Sequence, residues 1–385
     1  MPLKPLALLL LVGALIAPAL AAAFETRART AFIIDDATGA VLFEKNAETP
    51  EPPASMSKLM TIYMLFEALR DGRVTMETTF PVSARARVMG GSRMFVEIGD
   101  QVPVEALIKG IIVQSGNDAC VVVAEGLAGT EQEFAAQMTR RAHELGLSSV
   151  QMKNASGWPA EGHVISGRDL VALARLLIRE FPDYYPYFAE TEFTWNNITQ
   201  PNRNPLLSLG IGADGLKTGH TSEAGYGLVG SAVQNGQRVV FMMSGLGSMS
   251  ERASETSALV RWAYGAFDTV RYYGAGDTVT QVPVWLGAEE SVPLVAPRDI
   301  SLLVPRADRA AMSAKVIYDG PVEAPIAAGQ PIAELIVEVP GRESARFDLV
   351  AGADVARGGL MRRIEAAARL TRDRAMGMLP RRSAE

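Results

Sequence analysis

The chain is poor in the residues that build redox and metal sites. One cysteine, Cys120, among 385 residues excludes an internal disulfide framework and any cysteine-rich zinc site. The three histidines, His143, His163 and His220, lie far apart with no paired-ligand spacing, so no metal is expected, and no other cofactor is indicated. There is no excess of positive charge either: a formal net charge of −6 argues against nucleic acid as a partner. What remains is ordinary for a soluble globular protein, with 48% hydrophobic and 21% charged residues, and long enough for two domains.

The first 23 residues read as a targeting segment outside the fold. Lys4 supplies a short positive region, residues 6–20 an apolar core, and Ala21-Ala22-Ala23 a small-residue cleavage site. That core contains Gly13 and Pro18 and, at about 15 residues, is short of the roughly 20 a membrane span needs. Export with cleavage near Ala23 is expected, and a lone cysteine suits an exported fold that does not depend on disulfides.

In the body, short apolar runs at 30–35 and 41–44 flank Ala37-Thr38-Gly39 and predict a β-hairpin. Leu59, Ile62, Leu65, Phe66 and Leu69 then recur at helical spacing, so a helix should start near Ser55, after Pro52-Pro53, and end near Arg70 at Asp71-Gly72. Gly90-Gly91-Ser92-Arg93-Met94-Phe95 is loop-like, either a connector or the border of a site. Pro103 suits a first helical position, and Val104, Leu107, Ile108, Ile111 and Ile112 form its apolar stripe. Gln114 to Cys120 interrupts that helix before a second apolar segment, presenting Ser115 and Asn117 on a turn between two buried helices. Cys120 there reads as a packing residue. Further helices are expected at 131–145, 167–181 and 252–267, an irregular connection at 182–212, and antiparallel strands at 214–221, 225–231 and 238–244.

Three short motifs carry chemistry. Ser55 and Lys58, three residues apart at a helix start, project from one face about a turn apart. A serine hydroxyl needs a base within hydrogen-bond reach to act as a nucleophile. A lysine can serve if burial or a neighbouring cation lowers its pKa. Ser-x-x-Lys alone is weak, since a chain of this length should hold about one by chance. Ser115-Gly116-Asn117 alone reads first as a cap and turn. Lys217-Thr218-Gly219 on a strand is rarer. It joins positive potential, a hydroxyl for a carboxylate, and a glycine that lets a peptide backbone approach the strand edge.

In this order, and with the contexts Pro-Ala-Ser-Met-Ser-Lys (53–58), Ser-Gly-Asn-Asp-Ala (115–119) and Asp-Gly-Leu-Lys-Thr-Gly-His-Thr (214–221), the motifs resemble those of the low-molecular-weight penicillin-binding proteins, the serine D-alanyl-D-alanine carboxypeptidases. The resemblance spans nearly the whole chain. It implies an α/β fold: a β-lactamase/DD-peptidase-like catalytic domain, with an antiparallel sheet flanked by helices plus a helical lobe, at 24–268. The site would lie between sheet and lobe.

It also implies roles. Ser55 would attack the penultimate D-alanine carbonyl of a peptidoglycan stem peptide and release terminal D-alanine, with Lys58 as base beside the cationic Lys217. Ser115 would bridge the two lysines, and Asn117 would bond the substrate amide. Thr218, with Lys217 and Arg252, would receive the carboxylate, Gly219 would admit the substrate backbone, and the N–H groups of Ser55 and His220 would form the oxyanion hole. β-Lactams would acylate Ser55 and inhibit. Gly116 stands where a class A β-lactamase has aspartate, and no Glu-x-x-Leu-Asn motif occurs between 120 and 217, so efficient β-lactam hydrolysis is not expected. A Ser-His-Asp triad through His220 and Asp214 is discounted, because the match gives His220 only a backbone role. Two alternatives remain: a D,D-endopeptidase cutting cross-links, and a non-catalytic wall-binding shape protein.

Beyond residue 268 the texture changes to short apolar runs at 282–286, 301–304, 314–318 and 332–339, punctuated by glycine and proline, which predicts a small all-β domain at 269–356. The tail, 357–385, carries seven arginines against Glu365 and Asp373 within 361–382. Leu360, Ile364, Ala367, Ala368, Thr371, Ala375 and Met378 share one helical face. A basic amphipathic helix of this kind would attach an exported, periplasmic protein to the inner-membrane surface.

Overall fold

The computed structural model describes residues 24–340, 343–360, 364 and 368. They fall into two compact units that divide between Phe267 and Asp268. The expected targeting segment lies outside the described residues. So does most of the expected C-terminal helix, of which Leu360, Ile364 and Ala368 are described, all three helical and exposed.

The first unit is built on five antiparallel strands. The hairpin β1 (Thr30–Asp35) and β2 (Val41–Lys45) leads through a 3₁₀ turn, Ala54–Ser57, into α1 (Lys58–Arg70). A ribbon of β3 (Thr79–Pro81) and β4 (Gln101–Pro103) brackets the short α2 (Ala84–Arg87). The helical lobe continues with α3 (Val104–Ile112), α4 (Asn117–Ala128), α5 (Glu131–Glu144) and α6 (Gly167–Glu180). After a hairpin of β5 (Glu192–Trp195) and β6 (Ile198–Pro201) come β7 (Ala213–Thr221), β8 (Gly225–Gln234) and β9 (Gln237–Leu246), then α7 (Met249–Ala266). The sheet order is β2-β1-β9-β8-β7, which leaves β7 at an edge.

Strand periodicity explains the layering. In β1, Phe32 and Ile34 enter the core shared with α1, α3, α4 and α6, while Ala31 and Ile33 enter the opposite core with Leu259 and Val260 of α7. All six residues of β1 are buried, because helices cover both faces of the sheet. Helix starts follow their caps. Ser166, Thr130 and Ser248 accept the N–H of Asp169, Glu133 and Glu251, so α7 begins three residues before the expected Arg252. Pro103 is the residue before α3, not its first.

The stretch expected to be irregular, 182–212, contains the β5–β6 hairpin. Asn196 and Asn197 take φ of 47° and 60° there, and asparagine tolerates the left-handed region that a tight hairpin turn requires.

The second unit, by itself, is all-β. Its strands are β10 (Phe267–Tyr273), β11 (Thr278–Trp285), β12 (Ser291–Val295), β13 (Ile300–Pro305), β14 (Ser313–Ile317), β15 (Val322–Glu323), β16 (Pro331–Glu338) and β17 (Ala345–Ala351). Six of them form a sheet in the order β14-β16-β17-β12-β11-β15, over a core that includes Val282, Val292, Leu294, Leu335, Val337 and Leu349.

Candidate active site

Ser55 is placed by backbone before it is placed by packing. Ala54, just ahead of it, has φ of 49°, so the chain turns sharply out of Pro52-Pro53, and Met56 N–H closes the turn on Pro53 O at 3.1 Å. Two glycines press on this turn. A Cβ on Gly157 would stand 1.9 Å from Ala54 O, and one on Gly219 of β7 would stand 2.9 Å from Pro53 O. Only backbone without a side chain fits at either point, which is how the edge of β7 comes to lie beside Ser55.

Lys58, one turn on, is fully buried. Its Nζ donates to Ser55 Oγ at 2.7 Å, to Asn117 Oδ1 at 2.8 Å and to the Ser156 carbonyl at 2.5 Å. Burial lowers the Lys58 pKa to about 8. The Arg203 charge adds to this, and the buried Asp118 and Cys120 oppose it. Lys217, also buried, is pushed well below the usual lysine range, by burial first and then by Lys58, Arg203 and Arg252. As an ammonium, Lys58 has one proton for each of these three oxygens. On losing one proton it keeps two for the carbonyl oxygens and turns a lone pair toward the Ser55 hydroxyl, the state in which it can act as a base.

Asn117 opens α4 and does two further jobs. Its Nδ2 donates to Gly90 O at 2.8 Å, and its own N–H donates to Ser92 O at 2.8 Å. The buried Asp118 carboxylate accepts the N–H groups of Met94 and Phe95, each at 2.8 Å. The 90–95 loop is thereby tied along the site and is more than a connector. Ser115 sits on the turn between α3 and α4, buried and with φ of 60°, a conformation that costs a non-glycine residue about 1–2 kcal/mol. Among the described residues its hydroxyl bonds neither lysine: the Lys58 amine is held by Ser55, Asn117 and Ser156, and Lys217 Nζ donates to the Thr218 carbonyl at 3.3 Å. The expected serine bridge is therefore not the contact seen.

The other expected residues gather nearby. Thr218 is buried beside Lys217 on β7. His220 is exposed and stacks on Tyr226, ring centroids 3.8 Å apart. Arg252, buried at the start of α7, places its guanidinium 5.8 Å from the Tyr226 ring centroid and donates to Arg203 O at 3.4 Å. Its Nε has no partner among the described residues.

Asp214 is engaged elsewhere, with the Tyr185 hydroxyl at 2.9 Å and with Arg238 at 2.8 Å. Six residues of strand, about 20 Å, separate it from His220, so the two cannot pair. Cys120 is buried and its thiol is pushed up to about 12, consistent with packing and not with nucleophilic chemistry.

Three contributors were not legible in the sequence. Arg203 reaches the site from the 182–212 connection and bonds Ser92 Oγ, while the adjacent Asn204 donates to Gly215 O at 2.8 Å and pins the segment to β7. Ser156 acts through its carbonyl, an atom every residue carries. Trp158 follows on a loop gathered by Asn154, whose Oδ1 accepts the N–H groups of Ser156, Gly157 and Trp158. No periodic pattern or charge run marks any of the three.

Comparison with known proteins agrees with this geometry. The family described as D-alanyl-D-alanine carboxypeptidase matches residues 17–245, and the penicillin-binding protein 5 C-terminal domain matches residues 267–357. The D-alanyl-D-alanine carboxypeptidase DacD of Escherichia coli (strain K12) is 34% identical over 348 residues, 88% of this chain and 90% of that protein. DacF of Bacillus subtilis (strain 168) is 32% identical, covering 87% of each. The crystal structure of penicillin binding protein 5 from Haemophilus influenzae, 32% identical, aligns with a TM-score of 0.75 over 86% of this chain and 98% of that one. With the serine–lysine pair held at bonding distance under the edge of β7, the chain belongs to the D-alanyl-D-alanine carboxypeptidase family of serine peptidases.

Proposed function

We propose that this enzyme removes the terminal D-alanine from peptidoglycan stem pentapeptides through an acyl-enzyme on Ser55. The observation that carries the reading is the buried, pKa-lowered Lys58 amine at 2.7 Å from Ser55 Oγ. As Oγ attacks the penultimate D-alanine carbonyl, the Ser55 proton passes to Lys58. The oxyanion forms between the N–H groups of Ser55 and His220. The C–N bond breaks, the D-alanine amine takes a proton, and water later cleaves the ester. Lys217, Thr218 and Arg252, with Arg203 beside them, supply the positive end of the groove for the substrate carboxylate. Ser115 stands by this centre as a proton relay to the leaving amine through a shift of the Lys58 contacts. Asn117 meets the substrate amide. β-Lactams acylate the same hydroxyl and inhibit.

The test is release of D-alanine from a pentapeptide by the wild type and by Ser55→Ala, together with mass spectrometry after incubation with penicillin. Wild type should release D-alanine and gain one adduct, and Ser55→Ala should do neither. Loss of cross-linked dimers without release from the pentapeptide would instead support an endopeptidase. A folded wild type with no adduct would support a non-catalytic wall-binding protein.

The reading places the protein outside the cytoplasmic membrane, in the periplasm, with its basic tail on the inner-membrane surface. Among the described residues, no helix is long and apolar enough to cross a membrane. Deleting residues 360–385 should move the protein from the membrane fraction to the soluble one, and unchanged partitioning would remove the tail from this role.

A further inference from the structure

The two N–H groups that meet the oxyanion belong to segments far apart in the chain, the Ser55 turn and β7, so their spacing has to be fixed by something between them. Gly219 closes one side of that contact against Pro53 O. We propose that Arg29 and Glu51 close the other side, and that together they position the oxyanion hole by tying the Ser55 turn to the corner between β7 and β8. The proposal rests on the carboxypeptidase reading and deepens it. Both are positioning residues, acting through the backbone they hold.

Glu51 lies four residues before Ser55 and is buried. Its N–H and carbonyl each pair with Ile165 at 3.1 Å. Its Oε2 accepts Arg29 Nε at 3.0 Å and the Thr30 hydroxyl at 3.2 Å, and its Oε1 accepts the Ser244 hydroxyl. A carboxylate out of water needs its lone pairs served, and here three donors from the start of β1 and from β9 serve them. Between Glu51 and Ala54 stand Pro52 and Pro53, whose rings fix φ, so the anchor is carried stiffly to the nucleophile.

Arg29 extends the tie to β7. Its Nη2 donates to Ala224 O at 3.0 Å, and the Ala224 N–H donates to Thr221 Oγ1 at 3.0 Å. Ala224 is four residues past His220, matching the four from Glu51 to Ser55. The corner is packed on bare backbone. A Cβ on Gly245 would stand 2.4 Å from Arg29 Cβ, and one on Gly225 would stand 2.9 Å from Gly245 Cα. A planar guanidinium can serve the carboxylate and the carbonyl at once, through two N–H groups in fixed directions, which a lysine ammonium cannot. The Arg29 side chain is 46% exposed, so the ion pair adds little to stability and its value lies in geometry. The tie is also separate from the base, because the Lys58 pKa is set by burial first and then by Cys120, Arg203 and Asp118.

The experiment measures kcat and KM for D-alanine release from an acyl-D-Ala-D-Ala peptide, and the pH profile of acylation by a reporter penicillin. It uses the full chain and the variants Glu51→Ala, Glu51→Gln and Arg29→Lys, with thermal melting to show each folded. Removing an oxyanion donor outright costs about a hundred- to a thousandfold, so displacing one through Glu51→Ala should lower kcat about thirtyfold with KM changed less than about twofold. Glu51→Gln, of equal length and with one acceptor left, should recover part of that loss. Arg29→Lys keeps the charge but not the reach to Ala224, and should lose about fivefold in kcat with melting nearly unchanged. The acid limb set by Lys58 should stay in place in all three. A kcat within about threefold of wild type in folded Glu51→Ala and Arg29→Lys would overturn the positioning role. A loss that comes with a shifted acid limb would assign the pair to the base and overturn it too. Both outcomes leave the carboxypeptidase reading standing, whereas a wild type with no D-alanine release and no penicillin adduct would overturn both.

Discussion

Replacing Lys58 by methionine is expected to slow acylation of Ser55 by at least about a thousandfold, because it removes the amine that bonds the Ser55 hydroxyl and would take its proton. The same dependence should appear as a pH profile. With a pKa near 8, the amine is protonated and idle below that value and neutral above it. The acylation rate should therefore fall about tenfold per pH unit on the acid side and level off above pH 8, with roughly a tenth of the enzyme competent at pH 7. Arg203→Gln supplies an internal check. The Arg203 guanidinium helps hold the lysine pKa down, so its loss should move the acid limb to higher pH. Stopped-flow acylation by a reporter penicillin, with thermal melting to show each variant folded, measures all three. A flat profile between pH 6 and 9 would remove Lys58 as the base.

The second large effect is expected at a residue that has no side chain to react. Gly157→Ala should both destabilise the first unit, by about 3 kcal/mol or more, and slow acylation at least about a hundredfold. Gly157 has φ of 76°, and an added Cβ would stand 1.9 Å from the carbonyl of Ala54, the residue immediately before the nucleophile. Backbone must give way by more than 1 Å, and the part that gives carries Ser55. Gly72→Ala is the control. Its φ of 70° is similar, but nothing lies within 4 Å of the new atom. It should cost only the left-handed penalty, about 1–2 kcal/mol, with acylation unchanged. Urea unfolding and acylation kinetics on both variants separate the two effects. A Gly157→Ala enzyme that acylates normally would mean that the Ser55 turn is not held by this contact.

Local pattern determined much of this protein before any folding was considered. Short apolar runs on either side of Ala37-Thr38-Gly39 gave away β1 and β2, and helical spacing after Ser55 gave away α1. The three-residue separation that puts Ser55 and Lys58 on one face is a property of the helix itself, independent of what surrounds it. The Lys217-Thr218-Gly219 strand and the turn bearing Ser115 and Asn117 were legible for the same reason, since turn and strand chemistry are written in neighbouring residues. The β5–β6 hairpin was missed because two asparagines in a polar stretch read as loop until their backbone angles are known.

Only the tertiary structure decided how the lysine is tuned and who holds it. The three bonds on the Lys58 amine come from residues 3, 59 and 98 positions away, and one of them is a main-chain oxygen with no side-chain signature. That Asn117 takes the place expected of Ser115, and that Arg203 depresses the Lys58 pKa from an apparently featureless connection, follow from distances that sequence spacing does not encode. A side chain's charge state depends on its desolvation and on the fields around it, and both are sums over neighbours that become neighbours only when the chain closes on itself.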